Sequence, residues 1–225
     1  MEVEAIEYLM RSTEKFKDRI KTKTANEGEI ITSSGAENTT IFIILKGHAL
    51  VEIQNSLAKN NFYALLSSNH MFGISLFSDH LDMPTVMAYS ITARTKIHYL
   101  EVDRQFFIDH MYITPEFYFS VLTDLSRQYS FLARAFQMKN EPLVVRILNT
   151  LLEISKILDI KESKKGELVF PKYVNQGFIA DYANASPAKT SQVLRRLEKE
   201  KIIRRKPITI INMATYYKVM ENKPL

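Results

Sequence analysis

The chain contains no cysteine. Disulfides, thiolate zinc sites and cysteine-ligated iron–sulfur clusters are thereby excluded, and thiol redox sensing with them. No run reaches the ~18 consecutive apolar residues that suggest a membrane span. The opening stretch MEVEAIEYLMRSTEKFKDRI is charged and amphipathic, unlike a signal peptide. A soluble, cytoplasmic protein without membrane contact is expected. The five histidines, His48, His70, His80, His98 and His110, never fall two apart, so the His-x-His pairs of metal-dependent β-barrels are missing. HExxH, a Gly-rich phosphate loop and a nucleophile motif are missing too. An enzyme is not expected, and no cofactor or metal is.

What is present allows one large domain or two modest ones. The 225 residues are 46% hydrophobic, enough for real cores. The net charge of +5 is unevenly shared: residues 139–225 carry +8 and the first 138 residues −3. That asymmetry implies a basic C-terminal module for phosphates and a near-neutral N-terminal module for something else.

Along the chain, residues 1–20 read as helix. From Glu27 the pattern becomes short β segments: GEIITSS, TTIFIILKGHALVEI and NFYALLS, punctuated by Gly28, Gly35 and Gly47. Further strands are expected at Val86–Ala93 and Ile97–Val102. Many short strands with regular turns suggest a small antiparallel barrel or roll over residues 1–113. After Pro115, apolar residues return at Tyr118, Leu122, Leu125, Tyr129, Leu132 and Phe136, alternately four and three apart. That is the seam of a coiled coil over 114–138, implying a homodimer; the plainer alternative is a single amphipathic helix lying on its own β domain. Lys139–Asn140–Glu141–Pro142 is a polar hinge opening a third region, 139–225. LVVRILNTLLEISKIL reads as its scaffold helix, DIKESKKGE as a charged loop, and Ile202–Ile203 with Ile208–Ile211 as a β wing around RRKP.

Residues 176–197, QGFIADYANASPAKTSQVLRRL, have the layout of a helix-turn-helix. Ile179, Ala180 and Ala183 suit the inner face of a first helix. Asn184 sits where the chain turns, and Asn tolerates left-handed backbone. Ser186 is placed to cap the second helix, with Pro187 at its first position, where a missing N–H costs nothing. Val193, Leu194 and Leu197 continue it at helical spacing. Between Ser186 and Lys206 eight basic residues face two acidic ones, a net +6. An excess of that sign suits double-stranded DNA.

A β-roll, a dimer helix and a C-terminal winged helix-turn-helix, in that order, resemble the CRP/FNR family of bacterial transcription regulators. GEIITSSGAENTTIFIILKGHALVEI resembles the opening of that family's β-roll, VVRILNTLLEIS the first helix of its DNA-binding domain, and QGFIADYANASPAKTSQVLRRLEKEKIIRR its helix-turn-helix. The resemblance implies an α+β fold: an N-terminal antiparallel cupin-like β-roll, a long dimerisation helix and a winged helix-turn-helix. It implies a homodimer on a near-palindromic operator, with RNA polymerase and an unidentified small-molecule effector as further partners. It also implies that the dimer helix and the Lys139–Pro142 hinge act as the switch.

Departures from the family pattern carry information. Its cyclic-nucleotide binders place a Glu after a Phe-Gly or Ile-Gly pair for the ribose, then an Arg-Ser or Arg-Thr pair for the phosphate. Here Phe72–Gly73 is followed by Ile74, and the later pair is Pro84–Thr85. Ile accepts no hydrogen bond and Pro supplies neither charge nor N–H, so a cAMP-independent protein is expected. Phe72, Gly73, Ile74, Pro84 and Thr85 mark the candidate effector pocket; Leu76, Phe77 and Met87 are further lining candidates with core packing as the plainer role. At the family's base-reading positions stand Pro187, Ala188 and Gln192. Lys189 and Gln192 are the candidates for base contacts, with Ala188 against a thymine methyl, and Thr190 is expected to pack inward. Gln176, Ser186, Arg195, Arg196 and Lys199 are assigned to phosphates. The alternative is a sensor whose β-roll binds a non-nucleotide effector or partner, with DNA contacts secondary.

Overall fold

The structure is a computed structural model that describes residues 3–33, 40–54, 60–73, 89–114, 116–214 and 216–217. The chain divides into two compact units, Met1–Ala133 and Arg134–Leu225.

Among the described residues, the first unit is built on two four-stranded antiparallel sheets. One has the order β1 (Ile20–Ala25), β8 (Ile97–Asp103), β3 (Thr40–Lys46), β6 (Met71–Phe72). The other has the order β2 (Ile30–Ser33), β7 (Tyr89–Ala93), β4 (Ala49–Gln54), β5 (Asn60–Leu66). Strand β3 explains its own composition. Successive side chains point to opposite faces, and here both faces are covered. Ile41 and Ile43 pack with Leu100 and Val102 against α1 (Val3–Ser12) and α2 (Arg104–Ile113). Phe42 and Ile44 pack with Val51, Ile91, Ile97 and Tyr99 in the second cluster. A strand buried on both sides reads as a continuous apolar run, and TIFIILK is one. Gly47, φ +91°, makes the turn from β3 to β4; a Cβ there would lie 2.5 Å from the Lys96 carbonyl oxygen.

Three differences from the sequence reading concern polarity. The N-terminal helix ends at Ser12 instead of continuing to residue 20; the Ser12 hydroxyl donates back to the Tyr8 carbonyl at 2.9 Å, one turn earlier. Strand β1, IKTKTA, passed unnoticed because only Ile20 and Ala25 are buried and the four residues between are exposed. Helix α2 lies before Pro115, where no helix was expected. Asp103 caps it, accepting from the Phe106 N–H at 2.9 Å. His110 on that helix is a packing residue: it is buried, stacks on Phe106 with ring centroids 3.7 Å apart, and bonds the Phe106 carbonyl through Nδ1 at 2.8 Å. His70 is equally inert, since burial and the neighbouring Arg127 charge hold its pKa at about 3.

Helix α3 (Glu116–Met138) runs unbroken through the expected seam. Its inner face is mixed: Val121 joins the hydrophobic core, and Ser120 and Asp124 are buried beside it. The Asp124 carboxylate pairs with Arg127 and accepts from Gln128 Nε2 at 2.6 Å, which removes the cost of burying a lone charge. The other face is apolar and open. Leu122 is 60% exposed, Tyr129 74% and Phe136 78%, and Tyr118, Leu125 and Leu132 are exposed beside them.

The second unit is organised around α4 (Leu143–Ile157). Ile147, Leu148, Leu151 and Ile154 on it are fully buried. A fully buried Tyr216 donates its hydroxyl to the Leu148 carbonyl. On α4 pack α5 (Gln176–Tyr182) and α6 (Pro187–Lys199), and against α6 lies an antiparallel sheet of three strands among the described residues. Its order is β10 (Ile203–Arg205), β11 (Ile208–Ile210), β9 (Leu168–Val169). The hairpin β10–β11 turns through Lys206–Pro207 and is the expected wing, with strand ends shifted by one or two residues.

Candidate nucleic-acid interface

Local chemistry fixes the α5–turn–α6 unit. Asn175 caps α5 by accepting from the Phe178 N–H at 3.1 Å. Phe178, Ile179 and Ala180 are buried, and Ala183 closes the same face. The chain then reverses at Asn184, φ +48°, in the left-handed region that β-branched residues avoid. Asn184→Val is expected to destabilise this unit by about 1–2 kcal/mol and Asn184→Gly to be nearly neutral, both measured by urea denaturation.

Helix α6 starts as its sequence demands. Ser186 Oγ accepts from the Lys189 N–H at 3.4 Å and Pro187 occupies the first helical position. Thr190, Leu194 and Leu197 are fully buried at intervals of four and three, and they lock the rotation of the helix. The opposite side therefore faces outward: Ser186, Pro187, Ala188, Lys189, Gln192, Arg195, Arg196 and Lys199 are all exposed. The positive end of the helix dipole adds to the attraction for phosphate.

The ion pairs distinguish the cations. Arg196 Nε bonds Glu200 at 2.8 Å, Arg205 Nε bonds Glu198 at 2.6 Å, and Arg204 reaches Glu167 at 3.1 Å. Exposed pairs of this kind hold by little, about 0–1 kcal/mol, so a phosphate can replace them. Among the described residues no side-chain hydrogen bond or ion pair engages Lys189, Gln192, Arg195 or Lys199. Gln176 differs, because its side-chain amide donates to the Pro187 carbonyl at 3.2 Å and so links the starts of the two helices. Its backbone N–H, at the first position of α5, is the group it can still offer to a phosphate.

One residue central to this geometry escaped the sequence reading. Arg146, in the first turn of α4, donates to the Ala183 carbonyl and, at 2.6 Å, to the Asn184 carbonyl. It pins the reversal between the two helices from below. The signal available was a lone charge inside the apolar run VVRILNTLLEIS, but its partners lie 37 and 38 residues away. Arg146→Ala should lower the stability of the second unit by about 1–3 kcal/mol, the usual effect of losing charged hydrogen bonds. It should also weaken DNA binding; urea denaturation and a binding titration on one sample measure both.

The candidate effector residues fare differently. Phe72 lies in the core of the β unit, its ring 4.8 Å from Tyr89 and 6.2 Å from Tyr63, centroid to centroid. Gly73, φ +104°, lies where a Cβ would stand 2.7 Å from the Thr40 carbonyl oxygen, so it serves the close passage of two backbones. Ile74, Pro84 and Thr85, with Leu76, Phe77 and Met87, lie outside the described residues. Among the described residues no group of three or more His, Asp or Glu could hold a metal ion, and no helix is long and apolar enough to cross a membrane.

Residues 145–215 match the family of Crp-like helix-turn-helix domains. Among curated proteins, none matches the sequence. Solved structures resemble it along nearly its whole length. A cyclic nucleotide-binding domain containing protein from Listeria monocytogenes is 21% identical over 93% of this chain and 97% of its own, with a TM-score of 0.75. A CRP/FNR-family transcriptional regulator from Thermus thermophilus is 17% identical over 91% and 100%, TM-score 0.71. The c-di-GMP responsive global regulator CLP from Xanthomonas campestris is 14% identical over 90% and 98%, TM-score 0.68. At these identities the likeness speaks for the fold: a β-roll followed by a winged helix-turn-helix.

Proposed function

We infer that this chain, a CRP/FNR-family DNA-binding transcription regulator, acts as a homodimer on a near-palindromic operator without needing cAMP. The observation carrying this reading is the outward face of α6. Three buried residues fix the helix while Ala188, Lys189, Gln192 and Arg195 stand exposed, the last three without side-chain partners among the described residues. Gln192 pairs with adenine, Lys189 reaches guanine, and Ala188 meets a thymine methyl. Ser186, Arg195, Arg196 and Lys199, with the Gln176 backbone, hold phosphates and supply the salt-dependent share of affinity.

The apolar face of α3 supports dimerisation. Six large side chains at heptad spacing stand open to water on a helix whose other face is already packed. A monomer would leave that stripe wet, and a second copy buries it. Two-fold pairing sets the recognition helices ~34 Å apart, one helical turn of DNA. Independence from cAMP rests on Ile74, Pro84 and Thr85, which offer neither the carboxylate nor the cation that a cyclic nucleotide needs. RNA polymerase and an unidentified small-molecule effector enter as partners through the family resemblance alone.

Selection of duplexes from random DNA by the purified protein tests the reading. The expected product is a two-fold symmetric site unlike the family's usual TGTGA-type or TTGAT-type half-sites, unaffected by added cAMP. Return of one of those half-sites would refute the assignment of Lys189 and Gln192, and cAMP-dependent selection would refute the independence.

A further inference from the structure

Arg134 stands on α3 between the seam residues Leu132 and Phe136, two positions from each, so it leaves the helix on the face away from the seam. It belongs to the second compact unit. There its guanidinium donates to Asn149 Oδ1 at 2.8 Å. Asn149 is buried on α4 and is itself held, its amide donating to the Val145 carbonyl at 3.0 Å. One turn further along α4, Glu153 shares this interior. Burial pushes its carboxyl pKa up, and the Arg134 charge, the Tyr182 hydroxyl and Lys156 oppose the rise. Tyr182 is the last residue of α5, and its hydroxyl is held far above the ordinary range by burial and by the Glu153 carboxylate. The next two residues, Ala183 and Asn184, are the ones whose carbonyls Arg146 grips. Two sets of hydrogen bonds on α4 thus join the last turn of α3, through Arg134 and Asn149, and the reversal that precedes α6, through Arg146.

We propose that Arg134 is a positioning residue for DNA recognition, fixing the last turn of α3, through Asn149 and the α4 helix that carries Arg146, to the turn that precedes the recognition helix. An apolar side chain of the same length would fill the space. It would not fix one register, whereas a planar donor bound to a single amide oxygen does. Arg134 touches no base and no phosphate in this scheme. It acts on α6 through α4 and α5, and the proposal rests on the reading of α6 as the DNA-reading helix.

Two variants of the full-length protein test it, with the duplex selected by the unaltered protein as probe. Arg134→Met should bind that duplex about tenfold more weakly, within the usual range for coupling between sites. Its thermal midpoint should fall, because Glu153 loses its cation. Adding Glu153→Gln removes the uncompensated charge and should return the midpoint close to that of the unaltered protein. The binding deficit should persist in this double variant, with the dimer unchanged in sedimentation. If affinity recovers in step with the midpoint, Arg134 serves stability alone and the proposal is overturned. Unchanged affinity in Arg134→Met overturns it as well, while the DNA-binding reading survives. Should the unaltered protein select no duplex at all, that reading falls and the role of Arg134 falls with it.

Discussion

Leu125→Asp combined with Leu132→Asp converts the protein to a monomer and lowers operator affinity by about a thousandfold or more, the span that separates specific from non-specific binding. Both leucines are exposed in the single chain, 41% and 48%, so two aspartates there leave the fold of one chain intact. In a paired seam the same positions are central. Each carboxylate would be buried without a partner, which costs several kcal/mol apiece and exceeds what the remaining contacts can offset. Sedimentation equilibrium should give the mass of one chain, 26.1 kDa, against twice that for the unaltered protein. The loss of affinity follows because a monomer engages one half-site and forfeits the second. An unchanged operator affinity in this variant would remove the coiled-coil assignment.

Replacing Gln192 by alanine separates reading from holding. A bidentate contact to a base contributes about 1–3 kcal/mol, and a two-fold dimer makes it twice. Gln192→Ala should therefore cost on the order of 2–6 kcal/mol on the selected operator, with preference relaxed at one base pair in each half. Lys189→Ala should behave alike at a neighbouring pair. Arg195→Ala should differ in kind. It should weaken binding to every duplex equally and reduce the salt slope by about two for the dimer, one phosphate contact per chain. None of the three has a side-chain partner among the described residues, so folding should be unaffected. Titrations on operator, single-base variants and unrelated duplex at two salt concentrations distinguish the cases.

What could be read from the sequence was what local chemistry encodes. The helix-turn-helix announced itself because its boundaries are set by neighbouring residues: Ser186 caps, Pro187 starts, Asn184 turns left-handed. The exposed apolar stripe of helix α3 was visible because its spacing can be read without any partner in view. Strand β3 was visible because both its faces are buried. Elements with mixed or minimal burial were not: β1 places four exposed residues between two buried ones, and β6 is two residues long. Arg146 and Arg134 were hidden for a different reason. Their roles depend on carbonyls and an amide brought near only by folding, and no spacing rule relates position 146 to position 184. The pattern assigns Gln176 to a phosphate without choosing the group; its side-chain amide donates to the Pro187 carbonyl, and its backbone N–H is the group left for that role.

The central claim is that two copies of α6 enter adjacent major grooves on one face of a single duplex. The most direct measurement is the stoichiometry and affinity of binding to a selected operator with both half-sites and to one with a single half-site, at moderate salt. The account predicts two chains per complete operator and a loss of at least about a hundredfold when one half-site is scrambled, as several lost base pairs at 1–3 kcal/mol each require. One chain per duplex with equal affinity for both, or no binding to either, would contradict it.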